Sequence, residues 1–187
     1  MPDQPRGLQL CNNVTELTAI APLEPGGADA LRAIFQDRKN KELGGERSPI
    51  EQIESIHYAR WVLIDGGTRL LFTSNFDGNL DDYLAEFAER DEGPLNMIFR
   101  YCVGWPGARP VGPFIQYVRD RMVPAEYYYS AYPKYTVNEV KRAIYWKRET
   151  EEFINGLVPR FGDVGLDDVT NQIQAFLRRL AMPTPDI

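Results

Sequence analysis

Between Ile56 and Asp77 lies the pattern that most restricts the fold of this chain. Two β-prone runs, IHYARWVLI and RLLFTSNF, flank Asp65-Gly66-Gly67-Thr68. Gly66-Gly67 suits a two-residue hairpin turn, which needs positive φ at both central positions. With that turn, Asp65 faces Thr68, Arg60 faces Thr73 and Tyr58 faces Asn75. Side chains alternate between the faces of a strand, so the pairing sorts them. His57, Ala59, Trp61, Leu63, Leu70, Phe72, Ser74 and Phe76 share one face, which is mostly apolar and belongs under helices. The opposite face is mixed. Ile56, Val62, Ile64 and Leu71 are its apolar members, and Tyr58, Arg60, Thr73, Asn75 and Asp77 its polar ones. A three-residue loop or a bulge would shift this register.

The rest of the chain supplies the helices. Val14–Leu23 reads as a strand ended by Pro25-Gly26-Gly27, and Asp29–Lys39 as a helix. Pro49–Glu54 reads as a short helical turn. Asn79 caps a helix through Arg90, with Leu80, Tyr83, Leu84 and Phe87 as its stripe. Pro94–Val103 and Phe114–Met122 are two further short helices. Glu126–Tyr132 (EYYYSAY) is expected as a strand from its aromatic content. Thr136-x-x-Glu139 is a capping box opening a long helix to about Asn155, with Gly156 as C-cap. Leu166–Leu180 forms a last amphipathic helix ended by Pro183.

The order β-α-β-β-α, insertion, β, α, α is the split pattern of an α+β, ferredoxin-like fold with a four-stranded antiparallel sheet. All 187 residues are read as a single domain. Residues 12–92 carry the first part of the core, 93–124 a helical insertion, 125–156 the last strand and long helix, and 157–187 a helical extension.

Charge and composition exclude several functions. A net charge of −6 argues against a sequence-independent nucleic-acid binder, which needs a basic face. No apolar run approaches the roughly 18 residues of a membrane span. Two cysteines and one histidine leave no material for zinc fingers, iron–sulfur cages or a disulfide scaffold. Met1–Leu10 shows no secretory pattern, and Cys11 and Cys102 read as reduced thiols, so a cytoplasmic protein is expected. A pairing of the two cysteines stays open at this stage. A catalytic thiol would need His57 as its base, and nothing in the sequence brings them together.

The mixed face is the candidate site. Apolar walls with a few oriented polar groups suit a small-molecule pocket. Arg60 would hold negative charge, and Asp77 or a tyrosine would move protons. Tyr58, Thr73, Asn75 and Tyr128 would contact the ligand, Tyr128 as an aromatic wall. The structural alternative is an Arg60–Asp77 ion pair, or a hydrogen-bonded network, closing the end of the sheet. Tyr127 and Tyr129 share one side of the expected strand, Tyr128 and Tyr132 the other, and such a run also suits a dimer face. His57 reads as a core or edge histidine; the alternative, an axial haem ligand, needs only one histidine. No metal or cofactor is called for by the rest of the sequence.

Three stretches carry a resemblance: Leu17-Thr18-Ala19-Ile20-Ala21-Pro22, His57-Tyr58-Ala59-Arg60-Trp61, and Leu71 to Gly78 (LFTSNFDG). Together with Tyr127–Val140 they resemble uncharacterised bacterial proteins of the dimeric α+β barrel type, built on the ferredoxin-like fold. The wider superfamily includes small monooxygenases, isomerases, stress-response barrels and two-barrel haem enzymes. The resemblance implies a mixed face covered across a homodimer, with ligands in or beside the barrel. It transfers no catalytic residue, and His57 does not match the haem-binding position of the haem branches. The helical insertion and tail depart from a minimal barrel subunit and offer a cover from within the chain.

Overall fold

The computed structural model describes residues 10–11, 13–90, 92–157 and 165–181. The chain divides into two compact units, Met1–Val137 and Asn138–Ile187.

The first unit is built on an antiparallel sheet of three full-length strands, with a two-residue piece at one edge. The pieces are β1 (Leu10–Cys11), β2 (Val14–Pro22), β3 (Ile56–Ile64) and β4 (Arg69–Asp77). They lie in the order β1-β2-β4-β3, so β4 fills the gap between β2 and β3. The hairpin register predicted from the turn holds from Ile64–Arg69 to Tyr58–Asn75. Gly66 and Gly67 have φ of +67° and +92°, and Thr68 N–H donates to the Asp65 carbonyl at 3.3 Å. A Cβ on Gly67 would sit 3.1 Å from Ala28 Cβ, so the helix that begins at Gly27 approaches the turn closely.

One correction falls at the open end of the hairpin. The alternation that pairs Tyr58 with Asn75 would set His57 opposite Phe76, but His57 does not face it. A bulge between Ile56 and Tyr58 sets Ile56 opposite Phe76 and leaves His57 as the extra residue.

Helices cover one face of the sheet. They are α1 (Gly27–Leu43), α2 (Leu80–Arg90), α3 (Glu92–Phe99) and α4 (Val111–Arg119). A 3-10 turn at Pro49–Gln52 precedes β3, as its composition predicted. Asn79 Oδ1 accepts the Asp82 N–H at 3.0 Å and caps α2. The last two helices of this group begin earlier than predicted, because Pro94 and Pro113 sit in the first turn, where a missing N–H costs nothing. The core joins Leu17, Leu70, Phe72 and Phe76 to Tyr83, Phe87, Phe99 and Phe114. Phe76 stacks on Tyr83 with centroids 3.8 Å apart, and Phe72 meets Phe99 edge-on at 5.8 Å. The polar Ser74 on this face is satisfied by a hydrogen bond with the Tyr83 hydroxyl. Burial raises the pKa of that phenol above its ordinary value.

The expected fourth strand at Glu126–Tyr132 does not form; those residues run as irregular backbone. The outer edge of β2 is taken by three short pieces instead. Leu10–Cys11 pairs with Val14 and Thr15. Met122 bridges Ala19, through Ile20 N–H to Arg121 C=O at 2.9 Å and Val123 N–H to Thr18 C=O at 2.8 Å. Cys102 bridges Leu23. The Met122 bridge stops at Pro124, which has no N–H to extend a ladder.

The second unit carries α5 (Val137–Leu157), which opens at the end of the first unit, and α6 (Leu166–Leu180). Phe153 stacks on Phe176 at 4.3 Å, and Arg179 pairs with Glu149 at 3.1 Å. Gly156 lies inside α5 and does not cap it. Pro183 falls outside the described residues. Among the described residues no helix is long and apolar enough to cross a membrane.

Candidate functional site

The face of the sheet turned away from α1–α4 is the mixed face of the sequence. Register places its side chains in rows across β2, β4 and β3. Ile20, Leu71 and Val62 form the row nearer the turn, then Thr18, Thr73 and Arg60, then Glu16, Asn75 and Tyr58. The five expected strand residues are thus split. Tyr58, Arg60, Thr73 and Asn75 lie together in adjacent rows. Asp77 lies one row further, opposite Val14.

Arg60 is exposed and has no counter-ion among the described residues. Of the two structural alternatives, the ion pair with Asp77 is absent, and Asp77 is held in hydrogen bonds through both its oxygens. Oδ1 lies 2.7 Å from His57 Nε2, and Oδ2 accepts the Val137 N–H at 2.8 Å. Asp77 therefore satisfies the first free amide of α5, a helix-capping role. The bulge puts His57 within reach of it. Their side chains are 15% and 19% exposed, so the pair is largely shielded from water. Tyr128, expected on a strand, is half-buried on irregular backbone. Its neighbours Tyr127 and Tyr129 are both exposed.

Sequence reasoning missed Glu16. It belongs to the same row as Asn75 and Tyr58, yet is only 5% exposed. Burial raises its pKa above the ordinary carboxyl value; hydrogen bonds from Thr18 Oγ1, at 3.3 Å, and from the Ala125 backbone oppose the rise. Ala125 is the first N–H after Pro124, and it turns to this carboxylate where a ladder would have used it. The available signal was alternation in VTELTAIAP, where Glu16 and Thr18 recur at every second position.

Cys102 is a free, buried thiol, so the disulfide left open by the sequence does not form. Burial pushes its pKa up to about 11, which keeps it protonated and unreactive at neutral pH. Comparison with protein-family models, with curated proteins and with solved structures finds no match to this chain.

Proposed function

We propose that this protein binds a small anionic organic molecule on its open sheet face. The observation that supports this best is Arg60. It is an exposed guanidinium without a counter-ion among the described residues, in line with the hydroxyls of Thr18 and Thr73 and beside Asn75. A planar cation flanked by neutral hydrogen-bonding groups is suited to a carboxylate. The half-buried Ile20, Leu71 and Val62 beside that row would pack the apolar part of the ligand. If the bound molecule is turned over, Arg60 stabilises its developing negative charge. Asp77 is set aside as the proton carrier, since both its oxygens hold structure together.

We read the fold as a ferredoxin-like variant of the dimeric α+β barrel type. Support comes from the β2-α1-β3-β4-α2 order and from β4 lying between β2 and β3. Arg121–Val123 would then be the remnant of the fourth strand. The free thiol of Cys102 fits a reducing, cytoplasmic setting.

The test is calorimetric titration with a panel of small mono- and dicarboxylates, paired with a crystal structure of protein purified without added ligand. Binding should be lost in Arg60→Ala and reduced in Thr73→Val. Equal affinity in Arg60→Ala would overturn the reading. A second reading, closure of this face by another copy of the chain, draws on Tyr58, which is 75% exposed at the end of the face away from the turn. Sedimentation velocity decides it: a dimer that Val62→Asp dissociates supports the second copy, and a monomer removes it.

A further inference from the structure

A second concavity lies on the helical side of the first unit, where Trp61 and not Arg60 points. It is a groove of about 580 Å³ between α1, the Pro49–Gln52 turn, β3 and α3. That volume falls within the range of small-molecule sites. Ile34, Phe35, Ile50, Trp61, Met97 and Ile98 supply its apolar walls. Two features give it chemical character.

The first is an unmet donor. The indole Nε1–H of Trp61 is sealed from water and has no acceptor among the described residues. Buried donors are nearly always paired, so one left unmet on a residue that lines the groove stands out. The second is charge. Arg38, Lys39 and Lys41 line the groove together with Asp37 and Glu42. Arg38 pairs with Glu42 at 2.9 Å and with Glu46 at 2.8 Å, and Lys41 pairs with Asp37 at 2.9 Å. Lys39 alone has no counter-ion among the described residues.

We infer that this groove is a binding site for a small aromatic carboxylate, distinct from the sheet-face site. The aromatic body fills the space between Phe35, Ile50 and Met97. The carboxylate brings what the wall lacks, an acceptor for an N–H and a negative charge for Lys39. A sealed donor is met only if the Trp61 ring shifts on binding, so that ring is the natural reporter.

The experiment uses the full ¹⁵N-labelled chain and 2-naphthoate as the probe. The chain has three tryptophans, hence three indole N–H resonances, and Trp61→Phe assigns the one that matters. That resonance should move saturably with added 2-naphthoate. Met97→Arg should weaken binding by about tenfold or more; Met97 is 49% exposed, so the fold should tolerate the change. Lys39→Glu should weaken it as well, and 2-naphthamide should bind more weakly than the acid. Arg60→Ala, on the other face, should leave the titration unchanged. A Trp61 resonance that stays still, or a shift that survives Met97→Arg, would overturn the site. Equal binding of the amide would overturn the assignment to a carboxylate.

Discussion

On the helix-covered face of the sheet, Leu17, Leu70 and Phe76 are all but sealed from solvent, and the polar Ser74 among them has a partner. On the opposite face of the same strands, Leu71, Thr73 and Asn75 stay half-buried and Arg60 and Tyr58 stand in the open. Backbone and hydrogen-bond ladder are common to both. The difference teaches that one face is finished within the chain, whereas the other retains unspent polar groups. Stability should therefore reside on the first face and ligand binding on the second.

The strongest challenge to this contrast is Phe76→Ala. Phe76 is fully buried against Tyr83, so truncation should cost about 3–5 kcal/mol in urea denaturation. A loss near that of a surface change would mean the covered face is not the stabilising one. Next is Asp77→Ala, which strips the amide of Val137 and the ring of His57 of their acceptor. About 1–2 kcal/mol should go, while carboxylate binding measured on the folded fraction persists. Asp77→Asn keeps one acceptor and should lose less.

Glu16 sharpens the boundary between the two faces through pH. Its folded pKa lies above the ordinary value, so the folded chain holds this proton more tightly than the unfolded chain. Its contribution is intact at low pH and is lost as pH rises from 4.5 through the raised folded value. Relative to wild type, Glu16→Gln should gain stability between pH 4 and pH 7 in parallel denaturant series. No relative gain would show that burial is not what governs this carboxyl. The smallest effect on stability belongs to Arg60→Ala, within about 0.5 kcal/mol, because an exposed side chain without partners gives the fold little. A melting temperature that falls by many degrees would place Arg60 among the structural residues.

Sequence periodicity recovered what depends on neighbours in the chain. The hairpin and its register follow from alternation around Gly66-Gly67, and α1, α2 and α6 follow from their stripes. It failed where the answer depends on distant residues. Tyr127–Tyr129 have strand chemistry, but a strand needs a free edge beside it. The edge of β2 was already claimed by residues from three other segments, and Pro124 ended the closest approach. Asp77 was grouped with Arg60 because both lie toward one face; its actual partners are a bulged histidine and an amide 60 residues away. Glu16 entered the site only once β2 was known to lie next to β4.

That patchwork edge has a consequence for the order of assembly. The β3–β4 hairpin closes a short loop and can form early, whereas each patch on β2 must wait for a remote segment to arrive. Met122 meets Ala19 through one pair of backbone hydrogen bonds, and Cys102 meets Leu23 through another. Patches so small can detach singly without dismantling the sheet. Until they arrive, the outer amides of β2 stand open, and in that interval another extended chain could add to the sheet.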